Sequence, residues 1–193
     1  MNRSVAVYLL IGLNIVGYLL EQSGGEAFIA QFALMPPNQG FEPWQLVTYA
    51  FLHGGEAHIF FNMFGLWMFG RDLEFVFGAK RFLAIYFASV VAAGCTQILV
   101  TTLMNNPEPT IGASGGVFGV LLTFAVLFPR RIIVLLLPPI PMPAWLFVTL
   151  YGLLELFMGV SGAQANVAHF AHLGGMLGAA LMLAVLRVQR HME

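Results

Sequence analysis

The chain has 193 residues, of which 59% are hydrophobic and only 9% charged, and its formal net charge is -1 at pH 7. Soluble domains carry roughly 25% charged residues, so this composition excludes an ordinary water-soluble domain. The near-neutral charge points to no nucleic-acid partner, and the lone cysteine, Cys95, permits no internal disulfide.

Six apolar runs approach the roughly 20 residues that cross a bilayer, at about 5–21, 57–76, 82–104, 112–129, 143–160 and 167–188. The sequence therefore predicts one all-α domain over 1–193, a polytopic membrane protein with six spans. The first run follows Arg3 and precedes SGGEA, as a secretory leader would. It lacks further basic residues and five more runs follow, so it reads as a retained helix. Residues 22–56 form a long external loop, apolar over 28–35 and then broken by Pro36, Pro37, Gly40 and Pro43. With Trp44 also present, this loop suits the headgroup layer.

The second run opens with HGGEAHIFFN: His53 ends the loop, His58 lies in the first turn, and Asn62, four residues on, shares its face. The fourth opens with TIGASGGVFGV at 110–120, where Ser114 stands among Gly112, Gly115, Gly116 and Gly119. Before the fifth run, IIVLLLPPIPMP at 132–143 packs four prolines into six residues, which no regular helix survives. The fifth span is accordingly predicted to begin near Pro143, with the preceding stretch along the inner surface. Within it, Glu155 is an ionisable group that pairs inside the bundle, faces a water-filled cavity or sits near an entry gate. The sixth run opens with NVAHFAHLGG, placing His169 and His172 on one face.

All eight basic residues fall on alternate connections: Arg3; Arg71, Lys80 and Arg81; Arg130 and Arg131; Arg187 and Arg190. The other connections carry only acidic charges, Glu21, Glu26, Glu42, Glu56 and Glu108. By the positive-inside rule both termini are cytoplasmic. Spans two, four and six then run inward, and their Ser, His and Asn residues meet at one shallow external depth.

Each of these residues has a bland reading. A serine among glycines lets two helices pack closely, and Asn62 serves as interhelical glue. A histidine in a first turn sits at the headgroups. The shared depth favours a site instead. There Ser114 would be a nucleophile needing a neighbouring base, and neutral histidine suits that task. The unpaired first N–H groups of span four, with Asn62 and His58, would meet an oxyanion. Gly112 and Gly115 would leave room for a substrate backbone. Gly115 and Gly119 would meet Gly174 and Gly178, or Gly175 and Ala179, bringing Ser114 and His172 together. The string GASGG also matches a hydrolase elbow, but it lacks the required strand before it. No H-E-x-x-H occurs, and His53 and His58 are five apart, so no metal is expected.

These residues resemble the rhomboid intramembrane serine proteases, over nearly the whole chain and in the minimal six-helix bacterial form. FLHGGEAHIFFNMFGLWMFG at 51–70 is similar to the span-two signature, GASGG at 112–116 to the nucleophile motif and AHLGG at 171–175 to the histidine motif. Glu74 and Gly78 also fit the family pattern. The resemblance selects His172 over His169 and implies a Ser114–His172 dyad with no third acidic member. It further implies His58, Asn62 and the Ser114 amide as the oxyanion site, with His53 and Gly175 in supporting positions. It implies cleavage of transmembrane proteins near the external face of a bacterial inner membrane, in contact with the lipid bilayer and without a cofactor. Two departures stand out. Phe118 occupies the place of an aromatic, often tyrosine, that packs against the histidine, and Gln45 stands where many relatives have arginine. The alternatives are a non-catalytic client-binding relative, which would lack the dyad, and a transporter, which would place ionisable groups near the midplane.

Overall fold

The structure, a computed structural model, describes residues 4–104, 108–135, 138–162 and 167–186. Six helices and one small hairpin occur among them: α1 (Val5–Phe32), α2 (Gln45–Thr48), α3 (Glu56–Met104), α4 (Ser114–Leu127), β1 (Ile132–Val134), β2 (Pro141–Pro143), α5 (Ala144–Ser161) and α6 (His169–Val185). Three of the helices, α1, α3 and α5, are long and apolar enough to cross a membrane. The bundle has an apolar core, and its outer surface is apolar as well. Large apolar side chains such as Phe75, Leu103, Phe157, Val160 and Val185 face outward, while Asn14, Glu21, His53, Asn62, Glu74, Ser89, Glu155, His169 and His172 are buried. This is the arrangement hydrocarbon requires, because polar groups must find partners inside the bundle.

The predicted second and third runs are the two halves of α3, which spans 49 residues and breaks at Gly78 (φ 74°, ψ 161°). That left-handed conformation suits glycine. The first run extends further than the sequence suggested. Helix α1 continues through Glu21 to a break at Gly25 (φ 58°, ψ -151°), and residues 26–32 resume as helix rather than loop. Ser23 and Gly24 read as loop signals yet are tolerated inside a helix, so composition alone misplaced this end. The described residues of the 132–143 stretch hold no helix, as the prolines require, and Ile133 pairs with Met142 in an antiparallel hairpin. Proline is accommodated there because an edge strand leaves some N–H positions unpaired.

The loop after α1 is anchored by the residue that departs from the family pattern. Gln45 is buried; its carbonyl accepts the Met35 and Glu42 N–H groups at 3.2 and 3.1 Å, and its amide nitrogen donates to the Ala30 and Gln31 carbonyls at 3.5 and 3.3 Å. A neutral amide thus serves as both donor and acceptor where a guanidinium could only donate. The Trp44 indole adds a bond to the Gln31 carbonyl at 3.2 Å.

Helices α4 and α6 pack against α3 through glycines. A Cβ on Gly119 would lie 2.0 Å from Ser89 Oγ, one on Gly174 2.4 Å from Thr96 Oγ1, and one on Gly178 2.6 Å from the Ala88 carbonyl oxygen. Gly174 and Gly178 therefore face α3. Of the small residues predicted to meet α4, Gly175 does so: its Cβ would lie 2.0 Å from the Gly115 carbonyl oxygen. Residues 174 and 175 are about 100° apart around a helix, so one turn serves two neighbours.

Glu74 closes the fold at the opposite end. Its two carboxylate oxygens accept the Ala6 and Val7 N–H groups, each at 2.9 Å, and thereby cap the first turn of α1. Those amides have no partner within their own helix, and negative charge is favoured there. Glu74→Ala is expected to destabilise the protein by about 2 kcal/mol, because two charge-assisted bonds are lost in an apolar setting. A thermal unfolding scan in detergent checks this, and an unchanged midpoint would contradict it.

Candidate active site

Ser114 is the first residue of α4, and the chain before it is held by the loop between α1 and α3. Leu34 and Thr110 exchange N–H···O=C bonds at 3.0 Å in each direction, and the Gly112 N–H donates to the Tyr49 carbonyl at 2.9 Å. Tyr49 is itself fixed, its hydroxyl donating to the Val90 carbonyl at 2.8 Å. The loop therefore sets where α4 begins. The Ala113 side chain provides no cap, so the first amides of α4 remain available to an incoming group.

Close approach of α6 at Gly175 brings His172 over this helix end. His172 Nε2 lies 2.8 Å from Ser114 Oγ. Phe118, one turn along α4, stacks on the His172 ring at 4.2 Å between centroids with planes 6° apart. The expected ring packing is thus present without the tyrosine hydroxyl. Glu155, in the last two turns of α5, reaches the other side of the imidazole. Its Oε2 lies 2.8 Å from His172 Nδ1 and 2.7 Å from His169 Nδ1. An ionised carboxylate only accepts, so both Nδ1 atoms donate and His172 Nε2 is left to accept the Ser114 hydroxyl proton.

Glu155 and His169 are the residues that sequence reasoning did not place. The resemblance implied no third acidic member, yet an acid stands behind the histidine. The signal was the carboxylate itself: an ionisable group within an apolar span requires a partner. Near the end of α5, Glu155 meets both histidines at the start of α6. The three ligand-type atoms of Glu155, His169 and His172 lie within 4.8 Å of one another. Their O···N separations of 2.7 and 2.8 Å are hydrogen-bond distances. Donors around a zinc ion, bound at roughly 2.0–2.2 Å, would stand farther apart.

His58 flanks the same space from α3. A Cβ on Gly112 would lie 2.8 Å from His58 Nε2 and 3.8 Å from Ser114 Oγ, so the imidazole and the hydroxyl border one small volume. The absence of a side chain at Gly112 (φ 127°) admits the His58 ring. Gly115 likewise admits Ala93, which its Cβ would meet at 2.4 Å. Asn62 is buried one turn below, and its Nδ2 donates to the His58 carbonyl at 3.1 Å. His53 packs edge-on behind His58, with centroids 5.0 Å apart. Burial, reinforced by His58, pushes the His53 imidazole down to about 3, so it stays neutral near pH 7.

The Rhomboid domain family model matches residues 40–189. Rhomboid protein 1, mitochondrial, of Saccharomyces cerevisiae is 31% identical over 175 residues, covering 88% of this chain and 49% of the yeast protein. Rhomboid protease GluP of Bacillus subtilis is 29% identical over 193 residues, covering 96% of this chain and 35% of GluP. RHOMBOID-like protein 6, mitochondrial, of Arabidopsis thaliana is 32% identical over 146 residues, covering 72% and 42% respectively. The chain thus spans half or less of the length of these relatives.

Gly112→Ala is expected to lower stability by about 1–3 kcal/mol, since alanine is strained at this φ and its methyl meets the His58 ring. Thermal unfolding in detergent is the measurement, with Gly55→Ala as comparator because that site is open. Equal midpoints for the two variants would contradict this packing.

Proposed function

The chain belongs to the rhomboid family, and we propose that it is an intramembrane serine endopeptidase that cleaves transmembrane segments of other proteins near the external face. The observation that carries this reading is the 2.8 Å approach of His172 Nε2 to Ser114 Oγ. A serine hydroxyl becomes nucleophilic only beside a base, and here the pair lies inside a bundle whose outer surface is apolar. The proposed topology has six spans with both termini cytoplasmic, supported by the two-segment α3 and by the alternation of basic residues. The chain would sit in a bacterial inner membrane, with transmembrane proteins and lipid as its partners, and with neither a metal nor a nucleic acid.

Helix α4 has 14 residues, about 21 Å at 1.5 Å per residue. That is shorter than the roughly 30 Å hydrocarbon core, so with its far end at the inner interface Ser114 is recessed below the external surface. At this depth a scissile bond within a membrane segment would meet the serine, and the reaction requires that water reach it.

In the proposed reaction, Ser114 Oγ bonds to the scissile carbonyl carbon as its proton passes to His172 Nε2. The carbonyl electron pair moves to oxygen, which the Ser114 N–H, the His58 ring and the Asn62 amide stabilise. For this Asn62 releases its bond to the His58 carbonyl, a small rotation of one side chain. The C–N bond then breaks and the proton on Nε2 goes to the departing amine. Water attacks the acyl-enzyme by the reverse sequence, with His172 again taking a proton.

Cleavage of a reporter transmembrane protein in proteoliposomes tests this. His172→Ala is expected to abolish cleavage and His169→Ala to leave most of it, and the opposite ranking would make His169 the base. Asn62→Ala is expected to lower kcat about 10²-fold with an unchanged unfolding midpoint, the usual loss for one oxyanion donor. Full activity in that variant would remove Asn62 from the oxyanion site.

A further inference from the structure

We propose that Glu155 is a positioning residue for His172, completing a Ser114–His172–Glu155 relay in which α5 contributes the acid and His169 holds it in place. The inference rests on the proteolytic reading and adds to it a residue that the dyad does not contain.

Four observations carry it. Glu155 is buried, and its single oxygen Oε2 accepts from both His172 Nδ1 at 2.8 Å and His169 Nδ1 at 2.7 Å. Two N–H donors on one carboxylate oxygen compensate a charge that would be costly to leave unpaired in an apolar interior. The bond to Nδ1 also selects the tautomer, leaving Nε2 as the acceptor that faces Ser114 at 2.8 Å. The imidazole is held on three sides: by Glu155 at Nδ1, by Ser114 at Nε2 and by the Phe118 ring against its face at 4.2 Å. Finally, Glu155 is one of only three buried residues on α5, with Ala144 and Val148, and the only one that is charged.

The chemical consequence follows from the proton transfer already described. When the Ser114 proton reaches Nε2, His172 becomes an imidazolium with both nitrogens protonated. The Glu155 carboxylate lies against the Nδ1–H of that cation and compensates the charge; it takes up no proton itself. Glu155 touches neither substrate nor the reacting oxygen, so its influence passes through His172. His169 contributes the second donor, and its loss would leave the Glu155–His172 bond in place. Because the acid comes from α5 and the base from α6, displacement of α5 would remove both hydrogen bonds together.

The test compares wild type, Glu155→Gln, Glu155→Asp and Ser114→Ala in the reporter cleavage assay, with unfolding midpoints recorded in parallel. Gln keeps the shape of the side chain and removes its charge. It is expected to lower kcat about 10²-fold or more, by analogy with loss of the acid in a serine triad, with little change in KM. Asp restores the charge on a shorter arm and is expected to fall between Gln and wild type. Equal kcat for Gln and wild type would overturn the inference while leaving the protease reading intact. Uncleaved reporter with wild type, indistinguishable from Ser114→Ala, would overturn both. A kcat for Asp no better than Gln in a folded variant would overturn the role of the charge.

A second measurement does not depend on any Glu155 variant folding. In wild-type protein with 15N-labelled histidine, the His172 Nδ1–H proton is expected strongly downfield, as for an N–H held by a carboxylate, and identified by its loss in His172→Ala. Its absence would overturn the proposed bond.

Discussion

The site depends on one close backbone approach, the contact of α4 and α6 at Gly115 and Gly175. A single Cβ at either position would collide with a neighbour: at 175 with the Gly115 carbonyl oxygen at 2.0 Å, and at 115 with Ala93 at 2.4 Å. The missing side chain at 175 sets the distance between α4 and α6, and the missing one at 115 lets α4 close on Ala93 of α3. Since Ser114 precedes Gly115 and His172 lies one turn before Gly175, the same contact fixes the separation of hydroxyl and imidazole. Glycine at 119, 174 and 178 extends this packing to α3, so three helices move as a body with little freedom to widen the gap.

A second constraint is the need to satisfy polar groups where water is scarce. Each buried carboxylate meets it by taking N–H donors from another part of the chain. Glu74 takes two amides of α1, Glu21 accepts the His53 N–H at 2.7 Å, and Glu155 takes two imidazoles. The first two are structural ties, one joining α1 to α3 and the other holding the loop ahead of His58. The third is different in kind, because its partner also contacts Ser114. A carboxylate that only braced α5 against α6 would need His169 alone.

Much of this was legible in the residues. Apolar runs and proline clusters located α3, α4, α5 and α6, and the basic residues implied an orientation. The common depth of His58, Asn62, Ser114 and His172 singles these residues out, and in the structure the Ser114 hydroxyl lies beside the His172 ring. The misses have physical causes. The end of α1 was placed early because Ser23 and Gly24 resemble a loop, whereas the break comes from the conformation of Gly25. The hairpin of Ile132–Val134 and Pro141–Pro143 was unreadable because proline pairing depends on which edge of a strand is free. Glu155 was visible as an anomaly, but its partners are 14 and 17 residues away on the next helix, and only the rotation of α5 and α6 decides which faces meet. At Gly112 and Gly115 small size signals close approach without naming what approaches; in the structure His58 and Ala93 lie against them.

The central claim is that Ser114 is activated by His172, and the most direct measurement is covalent labelling. Purified protein in detergent would be treated with a fluorescent fluorophosphonate, alongside folded Ser114→Ala and His172→Ala variants, and the modified residue located by mass spectrometry. The account expects wild type alone to be labelled, with the adduct on Ser114. A folded wild type that takes no label from this reagent or from a second serine-directed chemistry would contradict it, leaving Ser114 as a packing residue at the end of α4.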